Sequence, residues 1–328
     1  VESVQWLRYF RLTVAIDGSN TEALDLSDFR VRFSISQGFN GKPTTADITV
    51  YNVGKETINA IKAPTNDVLK TNDIAVILEA GYQNDHAIIF NGNLWWKASG
   101  RESGTDTFMR LIASSGGKAS QYAVVNASIP KGATQSQVFG VIAQSMQEKG
   151  VQPCNIPIEM ATALPRGKVL YMMSERAMQN IADTNNFMWG YGTNGLIAIP
   201  KDAVYDTNEE VIVLNAQTGM IGRPELTVDG VNVKCLLNPR LNMGSLIQLN
   251  NNTIQRNAGY DTSYNQGAVQ NNLAASDDML DSDGLYRVYS REFVGDTRGN
   301  DWYANLKCMG VNAVQPMNPS VWSTFPNM

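Results

Sequence analysis

Apolar and polar residues alternate at several places in the first 115 positions. Residues 28–36 run Asp-Phe-Arg-Val-Arg-Phe-Ser-Ile-Ser, the period-2 pattern of a strand with one wet face. Residues 45–52 repeat it, with Ala46, Ile48 and Val50 on one side, and Gly41-Lys42-Pro43 between the two runs suits a connecting loop. Further strands are predicted over 74–81, 87–94 and 107–114, with one short helix over 56–62. Antiparallel strands with turn signals at roughly 8–12-residue spacing predict a barrel or sandwich.

The pattern changes near Gly116-Gly117, and the segment 114–119 around it reads as a linker between domains. Thr134-Gln135-Ser136-Gln137 fits a capping box. Val138, Val141, Ile142 and Met146 then recur at helical spacing, and Gly150 suits a C-terminal cap. Ser174 is expected to cap a second helix that buries Ala177, Met178, Ile181 and Ala182. Residues 187–191 and 196–200 flank Gly192-Thr193-Asn194-Gly195, where Asn-Gly supplies the positive φ angles of a hairpin turn. Strand patterns return over 210–214, 231–237, 245–249, 285–294 and 302–309. Residues 250–283 are rich in Asn, Gln, Asp and Ser and form a long loop, functional or disordered. Pro316, Pro319 and Pro326 mark the last residues as an extended arm. The chain therefore divides into a β-region at 1–115, an α/β insert at 116–215, a second β-region at 216–315 and an arm at 316–328.

Composition narrows the class. The 328 residues are 43% hydrophobic, enough for more than one core, yet only 17% are charged, against about 25% in ordinary soluble chains. Asn (32) and Gln (16) replace much of that charge, which suits a surface packed against neighbours. A net charge of −5 argues against a dedicated nucleic-acid binder, which needs a basic stripe. Apolar runs fall short of the roughly 18 residues of a spanning helix, and residues 1–6 lack the pattern of a signal peptide. Cys154, Cys235 and Cys308 are too widely spaced for a metal knuckle and odd in number. The expectation is a soluble chain made in the cytoplasm.

Catalytic patterns fail one by one. His86 is the sole histidine, sits at a predicted hairpin turn, and has no GxSxG elbow to serve. The segment 114–119 imitates a phosphate loop, but Ile112 and Ala119 occupy positions that require Gly and Ser/Thr. Ser115 and Lys118 match S-x-x-K without its partner motifs. Asp281-Ser282-Asp283-Gly284 is half of a calcium loop, with Met279 and Ser290 where acids are needed. Glu209-Glu210 and Asp277-Asp278 are adjacent and face apart on a strand. Trp95 and Trp96 point to opposite faces, one toward core and one toward an interface, and Trp189 and Tyr191 share a face that packs on the helices. No catalytic, cofactor-binding or metal-binding residue is assigned, and the chain reads as a non-enzyme.

The order of the segments resembles a known family. The alternating strand is followed by Thr45-Ala46-Asp47-Ile48-Thr49-Val50-Tyr51-Asn52, then by Leu78-Glu79-Ala80-Gly81-Tyr82 and Ile89-Phe90-Asn91-Gly92. Further on come Ala163-Leu164-Pro165-Arg166-Gly167-Lys168, Asn215-Ala216-Gln217-Thr218-Gly219 and Cys235-Leu236-Leu237-Asn238-Pro239-Arg240. Together, over about residues 28–250, they resemble bacteriophage baseplate hub proteins from the centre of contractile tails. Residues 255–328 match that pattern less clearly.

The resemblance implies a mainly β fold with an α/β insert: two tube-forming antiparallel β-barrel domains bracketing a small helix-helix-hairpin domain. It implies a structural protein of the virion, assembled in the host cytoplasm, with no cofactor. Its partners would be two further copies of itself in a homotrimer, tail tube proteins above, a central spike protein below and other baseplate proteins. The trimer would form a pseudo-sixfold ring joining the hexameric tube to the trimeric spike, and genomic DNA would pass through a mildly acidic lumen without specific binding. Loop 250–283 and the arm are expected to touch other baseplate proteins. The alternative is a tail tube or distal-tail component of a non-contractile phage, or of a related bacterial contractile injection device. An enzyme acting on cell-wall glycan is a third reading, and the chain has no room for a lysozyme domain.

Overall fold

The alternating segments become strands whose apolar sides meet in one core. The computed structural model describes residues 7–19, 21–62, 73–152, 160–193, 195–201, 210–227, 230–255, 280 and 284–311. Most of the predicted loop 250–283, and all of the arm 316–328, lie outside them. The first β-region holds β1 (Arg8–Ala15), β2 (Ala23–Asp25), β3 (Val31–Gly38) and β4 (Thr44–Tyr51), then helix α1 (Lys55–Ala60), β5 (Ala75–Tyr82), β6 (Asp85–Arg101) and β7 (Thr107–Ser115). β3 and β4 fall where the period-2 pattern puts them, and β5 and β7 where strands were predicted. β6 continues well past its predicted end, to 17 residues. β1 and β2 were not predicted, although Phe10, Leu12 and Val14 alternate in the required way.

The middle of the chain holds α2 (Gly117–Tyr122), β8 (Val124–Ile129), α3 (Gln135–Gln147), β9 (Lys168–Met173), α4 (Ser174–Thr184), β10 (Phe187–Gly192) and β11 (Gly195–Pro200). The capping box forms as expected: the Thr134 hydroxyl accepts from the Gln137 amide and the Gln137 side chain accepts from the Thr134 amide. Gly150 takes a positive φ of 89° behind α3. Two expectations are corrected. Ser174 does not cap α4; Met173 stands at that position, and the Ser174 hydroxyl is buried against Ser145 at 2.7 Å. The expected linker at 114–119 is instead the end of β7 and the start of α2, whose Ala119 joins the apolar cluster formed by Val125, Ile142, Met178, Ile181, Trp189 and their neighbours. The strand pair β8–β9 was also not predicted.

β12 (Val211–Val213) stands at the end of the 116–215 segment, and the second β-region holds β13 (Glu225–Thr227), β14 (Gly230–Leu236), β15 (Leu246–Gln248), β16 (Leu285–Asp296) and β17 (Trp302–Gly310). Its strands continue the sheet of the first region. The hydrogen-bonded order is β13-β14-β17-β16-β3-β4-β7-β6-β5-β1-β2, with β15 on the open half of β16 and β12 beside β15. The β12–β15 pair is parallel, an exception to the antiparallel pattern expected. Two long strands change partners at bulges. β16 pairs with β15 up to Arg287 and with β3 from Ser290, the extra residue being Tyr289. β6 pairs with β5 up to Asn93 and with β7 from there, the extra residue being Trp95. A bulge bends its strand and increases its twist, so each one turns the sheet over the core. Among the described residues no run of hydrogen-bonded strands returns on itself to close a barrel. Side chains bridge the gap: Arg8 of β1 donates to the carbonyls of Asp296, Gly299 and Asn300 in the β16–β17 turn.

The joint between β3 and β16 carries a buried charge. Arg291 is 2% exposed and meets no carboxylate among the described residues. Its Nε donates to Gln37 Oε1 (2.7 Å), Nη1 to the Leu241 carbonyl (2.6 Å) and Asn242 Oδ1 (3.1 Å), and Nη2 to Thr193 Oγ1 (3.1 Å). Gln37 Nε2 passes the link on to the Tyr191 carbonyl at 2.7 Å, which also accepts from Thr44 Oγ1. One guanidinium thus ties both β-regions to the β10–β11 hairpin. Burial pushes its pKa down to about 9, which leaves it charged at neutral pH. Backbones meet closely here as well: a Cβ on Gly190 would stand 2.6 Å from the Gly38 carbonyl oxygen.

At the far end of β16, Asp296 is buried and accepts from Arg30 Nη2 (2.7 Å) and from the amides of Arg298 and Gly299. Burial alone would raise its pKa, but these donors outweigh it and hold the carboxyl below the usual range.

Two outcomes follow. Arg291→Met removes the cost of burying the charge but strands several acceptors, so a net loss of about 2–4 kcal/mol is expected in urea unfolding. Asp296→Asn keeps an acceptor for the turn amides and loses the charge that holds the half-exposed Arg30, a loss of about 1 kcal/mol at neutral pH. The native pKa is depressed, so this contribution is complete above the unfolded carboxyl's pKa, about 4, and disappears as pH falls through the lower native value. The stability gap between wild type and variant should therefore close on acidification below pH of about 4, read as converging urea midpoints.

Candidate functional site

The outward side of the sheet is the largest organised surface that the strands build. Registers align polar residues into rows that cross from one β-region to the other. One row runs Lys234, Asn305, Glu292, Ser36, Thr45, Ser114 and Asn93 over β14-β17-β16-β3-β4-β7-β6. The next carries Tyr303, Val294, Ser34, Asp47, Ile112 and Trp96 over β17 to β6, and a third Asp296, Arg32, Thr49, Arg110 and Ala98. Glu292 accepts from Ser34 Oγ (3.0 Å) on one side and Asn305 Nδ2 (3.1 Å) on the other, which stitches the rows at the joint. Arg110 grips Asp47 with both a 2.8 Å bond from Nε and a second from Nη2. Lys234 lies 3.7 Å from the Tyr303 ring centroid.

Two clefts open beside these rows. An open one of about 410 Å³ is lined by Arg32, Asp47, Tyr51, Glu102, Phe108 and Arg110. Arg110 is already engaged by Asp47, and Arg32 lies 3.9 Å from Asp296. The second, about 280 Å³, is walled by Asn91, Asn93, Ser114, Ser115, Gln152 and Thr193 and carries no ionisable side chain other than Tyr191. Neither pairs a nucleophile with a base among the residues that line it.

The residues tested in the sequence are dispersed. His86 stacks on Tyr9 with centroids 3.8 Å apart and binds Glu79 Oε1 through Nδ1 at 2.7 Å. Lys118 pairs with Asp73, away from any phosphate-loop geometry, and α2 behind Gly116 is only six residues long. Asp281, Ser282, Asp283, Asp277, Asp278, Glu209 and Cys154 lie outside the described residues. Burial pushes the Cys235 thiol up to about 12 and raises Cys308 as well, so both are inert. Among the described residues no group of three or more His, Cys, Asp or Glu side chains is arranged to hold a metal ion. No described helix is long and apolar enough to cross a membrane.

Tryptophans were read in part. The bulge at Trp95 puts Leu94 into the core and leaves Trp96 46% exposed on the outward side, so neither tryptophan fills the expected core position. Trp189 and Tyr191 pack on the helices as expected, Trp189 Nε1 donating to Gln179 Oε1 at 3.1 Å. Sequence reasoning missed Arg291, which looks like any strand arginine until its surroundings are known.

The family model for baseplate hub gp41 matches residues 9–264. No curated protein matches the chain in sequence. Among solved structures, the 43 kDa tail protein of prophage MuSo2 from Shewanella oneidensis superposes with a TM-score of 0.56 at 7% identity, covering 94% of this chain and 100% of that one. The tail protein from Neisseria meningitidis MC58 gives 0.53 at 8% identity, over 92% and 96% of the two chains. The Escherichia coli c3393 protein gives 0.51 at 12% identity, over 88% and 76%; it is described as a component of the type VI secretion system similar to T4 tail proteins gp27 and gp5. At such identities the likenesses establish a shared fold, and the family model establishes the rest: the chain belongs to the baseplate hub gp41 family.

Proposed function

We propose that this chain is the structural hub of a phage tail baseplate: a homotrimer that adapts the sixfold tail tube to a threefold spike and lets DNA pass. The observation that carries this reading is the β3–β16 joint, which makes one wall from two β-regions. Eight strands, β13-β14-β17-β16-β3-β4-β7-β6, lie in that wall, four from each region. Three copies of a wall with two similar halves supply six units, the number needed to meet a hexameric tube.

The wall has ends that another copy can continue. From Trp96 to Arg101, β6 is paired on one side by β7, and no described strand runs along its other side. β13, at the opposite end, is three residues long and is extended by a bridge from Glu225 to Gln255. Edge strands left open invite aggregation unless they are covered, and ring closure covers them. The two β-regions, 1–115 and 216–315, then act as barrel-like modules, with 116–215 as a domain outside the wall and 316–328 as an arm toward other baseplate proteins.

The outward rows face the bore in this reading. They mix hydroxyls and amides with charged and a few apolar side chains, and their two arginines lie against carboxylates, Arg110 on Asp47 and Arg32 3.9 Å from Asp296. Arginines held by carboxylates bind phosphate weakly, so DNA slides past without being captured. The protein's role is mechanical, with no reaction assigned. A second reading, a hub in a bacterial contractile injection device, draws on the similarity to the c3393 protein.

Electron microscopy of the purified chain tests the assignment. Rings with threefold symmetry, six lobes and a central opening are expected. Rings of six identical lobes that stack into tubes would contradict it in favour of a tube protein.

A further inference from the structure

A neutral cleft opens where the wall meets the insert. β6 supplies Asn91 and Asn93 to it, and the end of β7 supplies Ser114 and Ser115. The loop behind α3 adds Gln152, and the β10–β11 turn adds Thr193. Its volume of about 280 Å³ lies at the small end of ligand sites, which run from about 300 to 1,000 Å³. Asn93 stands directly opposite Ser114, and Asn91 lies two residues before Asn93 on β6, so these three side chains share the outward side. None of the three, nor Ser115 or Gln152, makes a side-chain hydrogen bond among the described residues. Ser114 is nevertheless only 9% exposed. A hydroxyl buried that far without a partner is uncommon, and the cleft is the space from which a partner can reach it.

The buried Arg291 reaches the same cleft through Thr193. Its Nη2 donates to Thr193 Oγ1 at 3.1 Å, which leaves the Thr193 hydroxyl to donate elsewhere and polarises it. Among the described residues no acceptor takes that proton. The cleft thus offers one strengthened donor beside amides and hydroxyls that both donate and accept. No carboxylate, ammonium or guanidinium stands among the residues that line it, so it does not select a charged ligand. Two features disfavour a peptide. Asn93 has strand partners on both sides, Ala75 and Ser114, and Ser114 has Thr45 and Asn93, so a peptide cannot join the sheet at these residues. The apolar lining residues Val151 and Tyr191 are 6% and 2% exposed, which leaves no pocket for an anchoring side chain. A small neutral molecule with several hydroxyls fits, since each hydroxyl donates and accepts in the manner of the water it displaces.

We infer that this cleft binds a neutral sugar ring, a hexose or an N-acetylhexosamine, with Asn91, Asn93 and Ser114 meeting its hydroxyls and Thr193 donating to one of its oxygens. The buried charge of Arg291 then has a second use, strengthening a donor at a ligand site. The inference does not rest on the trimer proposed above, and its test reads ligand binding, so the two can fail separately.

Saturation-transfer NMR on the full chain tests it, with glucose, galactose, mannose, N-acetylglucosamine and N-acetylgalactosamine as probes and the charged N-acetylneuraminic acid as the contrast. At least one neutral probe is expected to receive saturation at its ring protons, with a Kd of about 1 mM, and the charged one none. Asn93→Ala and Ser114→Ala each remove one hydrogen bond to the sugar, a weakening of about three- to tenfold. Neither side chain carries a hydrogen bond of the fold, so the structure should persist, and an unchanged circular-dichroism melt checks that it does. Transfer to none of the neutral sugars would overturn the inference, and so would equal transfer to the charged one. Equal affinity in wild type and both variants would place the sugar elsewhere and overturn it too. Altered self-association of either variant in light scattering, with no sugar bound by wild type, would overturn it in favour of a protein contact.

Discussion

Everything in this molecule depends on the pairing of β3 with β16, two strands more than 250 residues apart in sequence. A long-range pairing of this kind carries a large loop-closure cost and forms only if side chains reward it. The reward here is mixed. Ile35 and Phe293 fill the core beneath the joint, each contributing about 1.5–3 kcal/mol by leaving water. Arg291 adds direction, because its donors reach groups on β3, on the 241–242 loop and on the β10–β11 turn at once. Charge buried among neutral acceptors is a weak source of net stability, and its value lies in rejecting other arrangements. A shift of β16 by one residue would turn Arg291 outward and Glu292 into the core.

The insert is attached by the same logic. Its hairpin touches the joint through Tyr191 and Thr193, and an apolar patch of Phe39, Met188, Ile199, Met243 and Tyr289 fills the remaining space. Gly116 makes the attachment sterically feasible. It has a φ of +81°, and a Cβ there would stand 2.1 Å from the Tyr191 ring. The chain therefore leaves the wall at a fixed place and returns to it at another.

Local patterns in the sequence were informative wherever a strand has one wet side. β3 and β4 read correctly by alternation, β5, β7, β14 and β17 as strand candidates, and α3 by its capping box. Failures have physical reasons. β6 was predicted short because the bulge at Trp95 breaks the alternation in mid-strand, and a partner change leaves no other local mark. β9 was overlooked because its outer side, Val169, Tyr171 and Met173, is apolar too, which erases the period-2 contrast, whereas β8, with Val125, Ala127 and Ile129 alternating with Asn126 and Ser128, carries a pattern that could have been read. Ser174 looked like a cap because composition does not reveal that its hydroxyl faces Ser145. The joint itself could not be read: alternation gives the faces of a strand and not its partners. Function was legible as an order of segments, since a hub works through extended surfaces and presents no reactive cluster to find.

The central claim is that two β-regions behave as one wall. Hydrogen exchange of backbone amides under increasing urea measures this most directly. The account predicts that residues 31–38 and 290–296 lose protection together, in a single transition that coincides with global unfolding. Opening of 285–310 at a lower urea concentration than 31–51 would show two independent units and contradict it.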